Sequence, residues 1–156
     1  MSKTPALTDA AFPIKINGKE YFASMLSDRD YGDLTQYIRA VIIRIARDSA
    51  KDFDEVTRAE IYNAALKAAA SSGWGTMEGA RIISTQEGST MLGWVMIRKR
   101  HPKVSKEAFD RECSVDLAEA IGQIDLAFAQ LHILPYADEV NSENKESSTE
   151  DSKSEV

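Results

Sequence analysis

The sequence predicts a mainly α-helical domain that opens with a short β-hairpin. Three observations carry this expectation. Asn17-Gly18 lies between two short alternating apolar runs, later segments repeat apolar residues at intervals of three and four, and capping residues precede most of those segments.

The hairpin is placed over 12–25. Phe12-Pro13-Ile14-Lys15-Ile16 alternates, and Lys19 to Met25 forms the return. A type I′ turn needs positive φ at both central residues, which Asn and Gly tolerate. A two-residue loop then pairs Ile16 with Lys19 and Ile14 with Tyr21. Such a hairpin is marginal alone, so it is expected to lie against helices.

Ser27-Asp28-Arg29-Asp30 reads as a helix start, with a hydroxyl cap and acids near the positive end of the helix dipole. Behind it Leu34, Tyr37, Ile38, Val41, Ile42 and Ile45 fall on one helical face, with Arg39, Arg44 and Arg47 lying off most of that stripe. Ser49 to Val56 reads as a polar connection. Thr57-Arg58-Ala59-Glu60 has the form of a capping box, and the alanine-rich helix behind it is expected to stop at Gly73. A short helix is expected over Met77 to Ile83. Thr85 is placed as the cap of another, Gln86 to about Lys99, with Met91, Leu92, Val95 and Met96 as its core stripe; Pro102 ends it. Ser105 caps a short helix to about Cys113. Ser114 is expected to begin the last one, whose Leu117, Ile121, Ile124, Phe128 and Leu131 alternate spacings of four and three.

Composition sets the limits. The chain has 156 residues, 43% hydrophobic and 28% charged, enough for one domain with its own core. Residues 1–11 are expected to be disordered and 12–136 to form the domain. Residues 137–156 hold seven acids and two lysines, whereas the other 136 residues hold 18 acids and 17 bases. A polar acidic segment of this kind is expected to be disordered, since it has too little apolar surface to offset ordering entropy. The near-neutral body disfavours nucleic-acid binding. The single cysteine, Cys113, allows no internal disulfide and suits a reducing compartment. No apolar run is long enough for a membrane span, and the polar start lacks a signal-peptide core. An intracellular location is expected.

Little in the chain suggests chemistry. An EF-hand loop starting at Asp28 would need glycine at 33 and glutamate at 39, where Asp33 and Arg39 stand. Asp28, Asp30 and Asp33 are therefore read as helix-start acids. His101 and His132 have no neighbours at zinc-ligand spacing. His101 is read as a cation at a helix C-terminus, His132 as lying on the last helix's flank and Cys113 as a buried small hydrophobe. Gly88-Ser89-Thr90-Met91-Leu92-Gly93 lacks the Lys-Ser/Thr of a phosphate loop, so its small residues are read as permitting close helix packing. No catalytic residue, metal or cofactor is expected, and no enzyme activity.

The candidates for partner binding are Trp74, Met77, Arg98, Lys99 and Arg100. Trp74 sits in a glycine-flanked loop and would be a contact hot spot if exposed. Met25, Met77, Met91 and Met96 are adaptable apolar contacts, although Met91 and Met96 fit a core stripe better. The basic run Arg98 to Lys103 either complements a helix C-terminus or docks an acidic partner segment, this chain's own tail included. The Leu117–Leu131 stripe is read as core, with a homo-oligomer or partner-helix seam as the alternative.

Four short motifs carry a family resemblance. Ile14-Lys15-Ile16-Asn17-Gly18-Lys19-Glu20-Tyr21 makes an opening hairpin, and Leu26 to Leu34 leads into the first helix. Thr85-Gln86-Glu87-Gly88 and Trp94-Val95-Met96-Ile97-Arg98-Lys99-Arg100-His101-Pro102 follow later. In this order they resemble the tail assembly chaperones of long-tailed bacteriophages and prophages, over roughly residues 12–134. The resemblance implies a small, mainly helical, non-enzymatic protein of the host cell cytoplasm. It would keep the tape measure protein soluble while the tail tube protein assembles around that complex. It also implies that a longer form made by ribosomal frameshifting can accompany the short one. No binding residue is carried over by motif. Two alternatives stay open: a structural phage component such as a head–tail connector or minor tail protein, and a small regulator that binds nucleic acid through Arg98–Lys103.

Overall fold

A computed structural model describes residues 10–132. The remainder of the segments expected to be disordered, 1–9 and 137–156, lies outside the described residues, as do 133–136 of the expected domain. The fold is mainly α with one N-terminal antiparallel hairpin, as the sequence predicts. Strands β1 (Ala11–Ile16) and β2 (Lys19–Ser24) precede six helices: α1 (Asp28–Ser49), α2 (Glu55–Ser71), α3 (Met77–Ile83), α4 (Gln86–Ile97), α5 (Lys106–Val115) and α6 (Leu117–His132).

The turn chemistry fixes the hairpin. Asn17 and Gly18 both have positive φ, 51° and 74°, which sets the type I′ register with Ile16 opposite Lys19 and Ile14 opposite Tyr21. Ile14, Ile16, Tyr21 and Ala23 consequently share one buried face. β1 lies on α6 and β2 on α4, which supplies the cover that a lone hairpin lacks. Ala11 belongs to β1 and not to a disordered leader: its partner is Ser24, so pairing runs to the end of the return strand.

Helix α4 is the centre of the molecule. It packs against α3, α5, α6 and β2, and this accounts for burial all around it from Gly88 to Ile97 save Trp94. It approaches α3 at Gly88, where a Cβ would collide with the Ile82 carbonyl, and α6 at Gly93, where a Cβ would stand 2.5 Å from Ile124 Cδ1. The small residues of this segment are a packing device, as expected from the sequence.

Helix α1 is sandwiched. Its Leu34, Ile38 and Val41 face the body, where Ile38, Val41 and Ile82 form a satellite core. Ile45 continues the same stripe one turn further, beyond that cover, and is 55% exposed. On its other side α1 carries α2, whose substantial packing is on α1 alone. Arg39 ties the two together: Nε donates to the Ser72 carbonyl at 3.1 Å and Nη2 to Ala70 at 3.3 Å. The guanidinium thus satisfies carbonyls at the end of α2.

Two helix starts differ from expectation. Helix α2 begins at Glu55, because the Asp54 carboxylate accepts from the Thr57 N–H at 2.7 Å. Thr57 is inside the helix and not its cap. Helix α6 begins at Leu117, with Asp116 Oδ1 accepting from the Glu119 N–H at 3.2 Å. Ser114 belongs to α5, where its hydroxyl donates to the Arg111 carbonyl. In both places an aspartate takes the capping role from a nearby hydroxyl residue.

The histidine rings also hold hydrogen bonds that the sequence does not reveal. His101 Nε2 accepts the Phe22 N–H at 2.9 Å, with the ring stacked on Phe22 and edge-on to Tyr21. The His101 ring is therefore engaged with the second hairpin strand. His132 closes the other end of the same strand exit. Its Nδ1 donates to the Phe128 carbonyl and its Nε2 accepts the Leu26 N–H at 3.2 Å.

Candidate binding surfaces

The five residues singled out from the sequence fall on separate surfaces. Trp74 follows Gly73 in the loop between α2 and α3. Its backbone N–H donates to Thr35 Oγ1 of α1 at 3.1 Å, and its ring lies between Tyr31 and Phe128 at 5.4 and 5.8 Å. The indole is half-buried, so it is a wall and not a protruding knob. Met77, the first residue of α3, is 83% exposed and presents its thioether to solvent.

Trp74 closes one end of an apolar groove of about 430 Å³, within the size range of ligand sites. Helices α3 and α6 both pack on α4 but form no substantial interface with each other, and the groove is the gap between them. Gly79, Ala80 and Ile83 of α3 form one wall, Ile121 and Phe128 of α6 the other, and Ser89 and Leu92 of α4 the floor. Asp125 adds one carboxylate to the α6 side.

The sequence presents Ile121 and Phe128 as core. Helix α6 instead divides its apolar arc: Ala120, Ile124, Ala127 and Leu131 face the core and are buried, whereas Leu117 and Phe128 are only partly buried. A signal for this exists in the sequence. Adding Ala120 and Ala127 to the stripe widens it past what one contact face requires.

The basic run occupies a different corner. Arg98 Nη2 bonds Asp30 Oδ1 and Asp33 Oδ2, each at 2.7 Å, and its guanidinium lies 5.3 Å from the Trp94 ring centroid. Burial pushes the Asp30 carboxyl up, but bonds from the Ser27 backbone N–H and Arg98 outweigh it and hold that carboxyl below its ordinary range. Asp30 also completes a capping box with Ser27. Two of the three acids of the Asp28–Asp33 cluster are therefore partners of Arg98 as well as helix-start acids. Arg100 Nε donates to the buried Ser24 hydroxyl at 3.0 Å. Lys99 lines a cleft of about 480 Å³ with Met25, Arg29 and Pro102. This corner joins the α4 end to α1 and β2, and it is distinct from the Trp74 groove.

A third surface is the outer side of α2. Val56, Ala59, Tyr62 and Leu66 recur at spacings of three and four and are all exposed, while Ala65 and Ala69 turn towards α1 and are buried. Val56 is 71% exposed.

The one cysteine is shielded in this setting. Cys113 is fully buried, and burial, reinforced by Asp110 and Glu112, pushes its thiol up to about 12. Among the described residues no cluster of His, Cys, Asp or Glu has the geometry to hold a metal ion, and no helix is long and apolar enough to cross a membrane.

Comparison with protein-family models, curated proteins and solved structures returns no match to this chain.

Proposed function

We propose that this chain is a non-enzymatic tail assembly chaperone that binds the tape measure protein in the host cytoplasm and keeps it soluble for tail tube assembly. The observation that carries the reading is the apolar groove between α3 and α6. A long amphipathic client needs apolar surface that receives helices, and recognition of a helix in an apolar groove supplies it. The net charge of −6 would help to keep the complex dispersed.

The motifs behind the resemblance add support, because they meet in space. The hairpin's Tyr21 packs against His101, and Asp30 at the α1 start binds Arg98. The nucleic-acid alternative is weaker, since Arg98 is already neutralised by two carboxylates.

Co-expression with the tape measure protein that the proposal expects to be encoded beside this chain tests it. The expected result is a soluble client that copurifies with the chain. A client that stays insoluble, or stoichiometric retention of the chain in purified virions, overturns it; the second outcome favours a structural component.

A further inference from the structure

We infer that the α3–α4–α6 groove seats a two-turn amphipathic helix that carries a basic residue beside its apolar face. The inference deepens the chaperone reading by naming the seat and the chemistry of its occupant. Only the occupant's source, the client, rests on that reading.

The shape argues for a helix. Two helices that share a third as floor, without closing on each other, leave the position of a fourth helix open. Ala80, small and exposed on the α3 wall, allows a backbone to come close. The α6 wall runs from Ile121 to Phe128, about 10 Å of helix. That length accepts apolar anchors at i, i+3 or i+4, and i+7. Trp74 and Phe128, in edge-to-face contact at one end, offer the aromatic anchor typical of contact hot spots.

The charge argues for a basic residue. Elsewhere acids meet bases across elements: Glu87 with Arg44, Glu112 with Lys19, and Asp30 and Asp33 with Arg98. Asp125 is exposed and lines the groove with no basic residue among its lining, and it has no ion pair among the described residues. A lysine or arginine on the incoming helix supplies the missing partner.

The test uses the full chain carrying Trp94→Phe, so that Trp74 is the sole tryptophan. The probes are two synthetic amphipathic helical peptides with leucines at i, i+4 and i+7, one flanked by lysine and one by glutamate. The lysine peptide is expected to shift Trp74 emission saturably and to bind about three- to fivefold tighter than its twin, the range an exposed pair allows. Asp125→Lys reverses that preference. Ala80→Glu weakens both peptides at least tenfold; Ala80 is exposed, so the larger side chain fills the groove without entering the core. Circular dichroism confirms that each variant is folded. No emission shift at millimolar peptide, or equal binding by wild type and Ala80→Glu, overturns the inference. A parallel arm assays client copurification. If the client binds wild type and Ala80→Glu alike, the groove assignment falls and the chaperone reading stands. If the client binds neither while the peptides bind as expected, the chaperone reading falls and the groove stands.

Discussion

Ile124 lies over Gly93 so closely that its Cδ1 would be 2.5 Å from a Cβ at that position. This contact sets the spacing of α4 and α6, and thereby the depth of the groove beside it. Gly93→Ala should lower stability by about 1–2 kcal/mol, overpacking outweighing the gain in helix propensity. Ile124→Ala removes both clashing carbons, Cδ1 and Cγ1, so a double-mutant cycle by urea denaturation should show positive coupling. Additive effects would mean that the helices separate freely.

The Asp30–Arg98 pair joins the start of α1 to the end of α4. Asp30→Ala removes both a capping acceptor and an ion pair, and should cost about 1–3 kcal/mol. Asp30→Asn keeps a capping acceptor and should cost less. The pH dependence has a definite sign. The folded carboxyl titrates below its unfolded value, so its contribution is present above about pH 4 and is lost as pH falls further. The stability gap between wild type and Asp30→Asn should therefore close in acid, as followed by denaturation midpoints.

His132 gives a second pH effect at higher pH. Burial lowers its titration point, partly offset by the bond to the Phe128 carbonyl. Between the unfolded value, about 6.5, and the lower folded one, the unfolded chain binds the proton that the native chain refuses. Stability from this group is thus full above about pH 6.5 and declines as pH falls below it. His132→Gln should flatten that decline. Amide exchange at Leu26, whose N–H the ring accepts, should quicken on acidification relative to intrinsic rates.

Cys113 should be silent towards thiol reagents. With its thiol pushed up to about 12 and fully buried, labelling at pH 8 should proceed only through unfolding. The rate should then rise with urea in step with loss of helical signal. Fast labelling in native buffer would show that α5 opens locally.

Much of this fold was legible in the residues. Asn17-Gly18 specified both the turn and the register, and Ser27, Thr85 and Ser105 cap the helices that follow them. Local chemistry decides those features. It did not decide between Asp54 and Thr57, or between Asp116 and Ser114, because each pair offers two cap-competent side chains within three residues. The histidine roles were hidden for another reason: their backbone partners lie 79 and 106 residues away. The groove was hidden too. Trp74 was recognisable as a candidate, but a gap between α3 and α6 belongs to neither segment's pattern. It arises from how both sit on α4.

One consequence of the hairpin's seat concerns synthesis on the ribosome. The first strand rests on the last helix, and the Lys15 N–H donates to Gln123 across 108 residues. The part of the hairpin's apolar face contributed by β1 must therefore wait until α6 has been made, although α4 is available earlier to cover β2. At about 5–20 residues per second that wait lasts roughly 5–20 s. Chains released before His132 lack the surface on which their own N-terminus packs. Completion of α6 is the step that turns a nascent chain into a folded one.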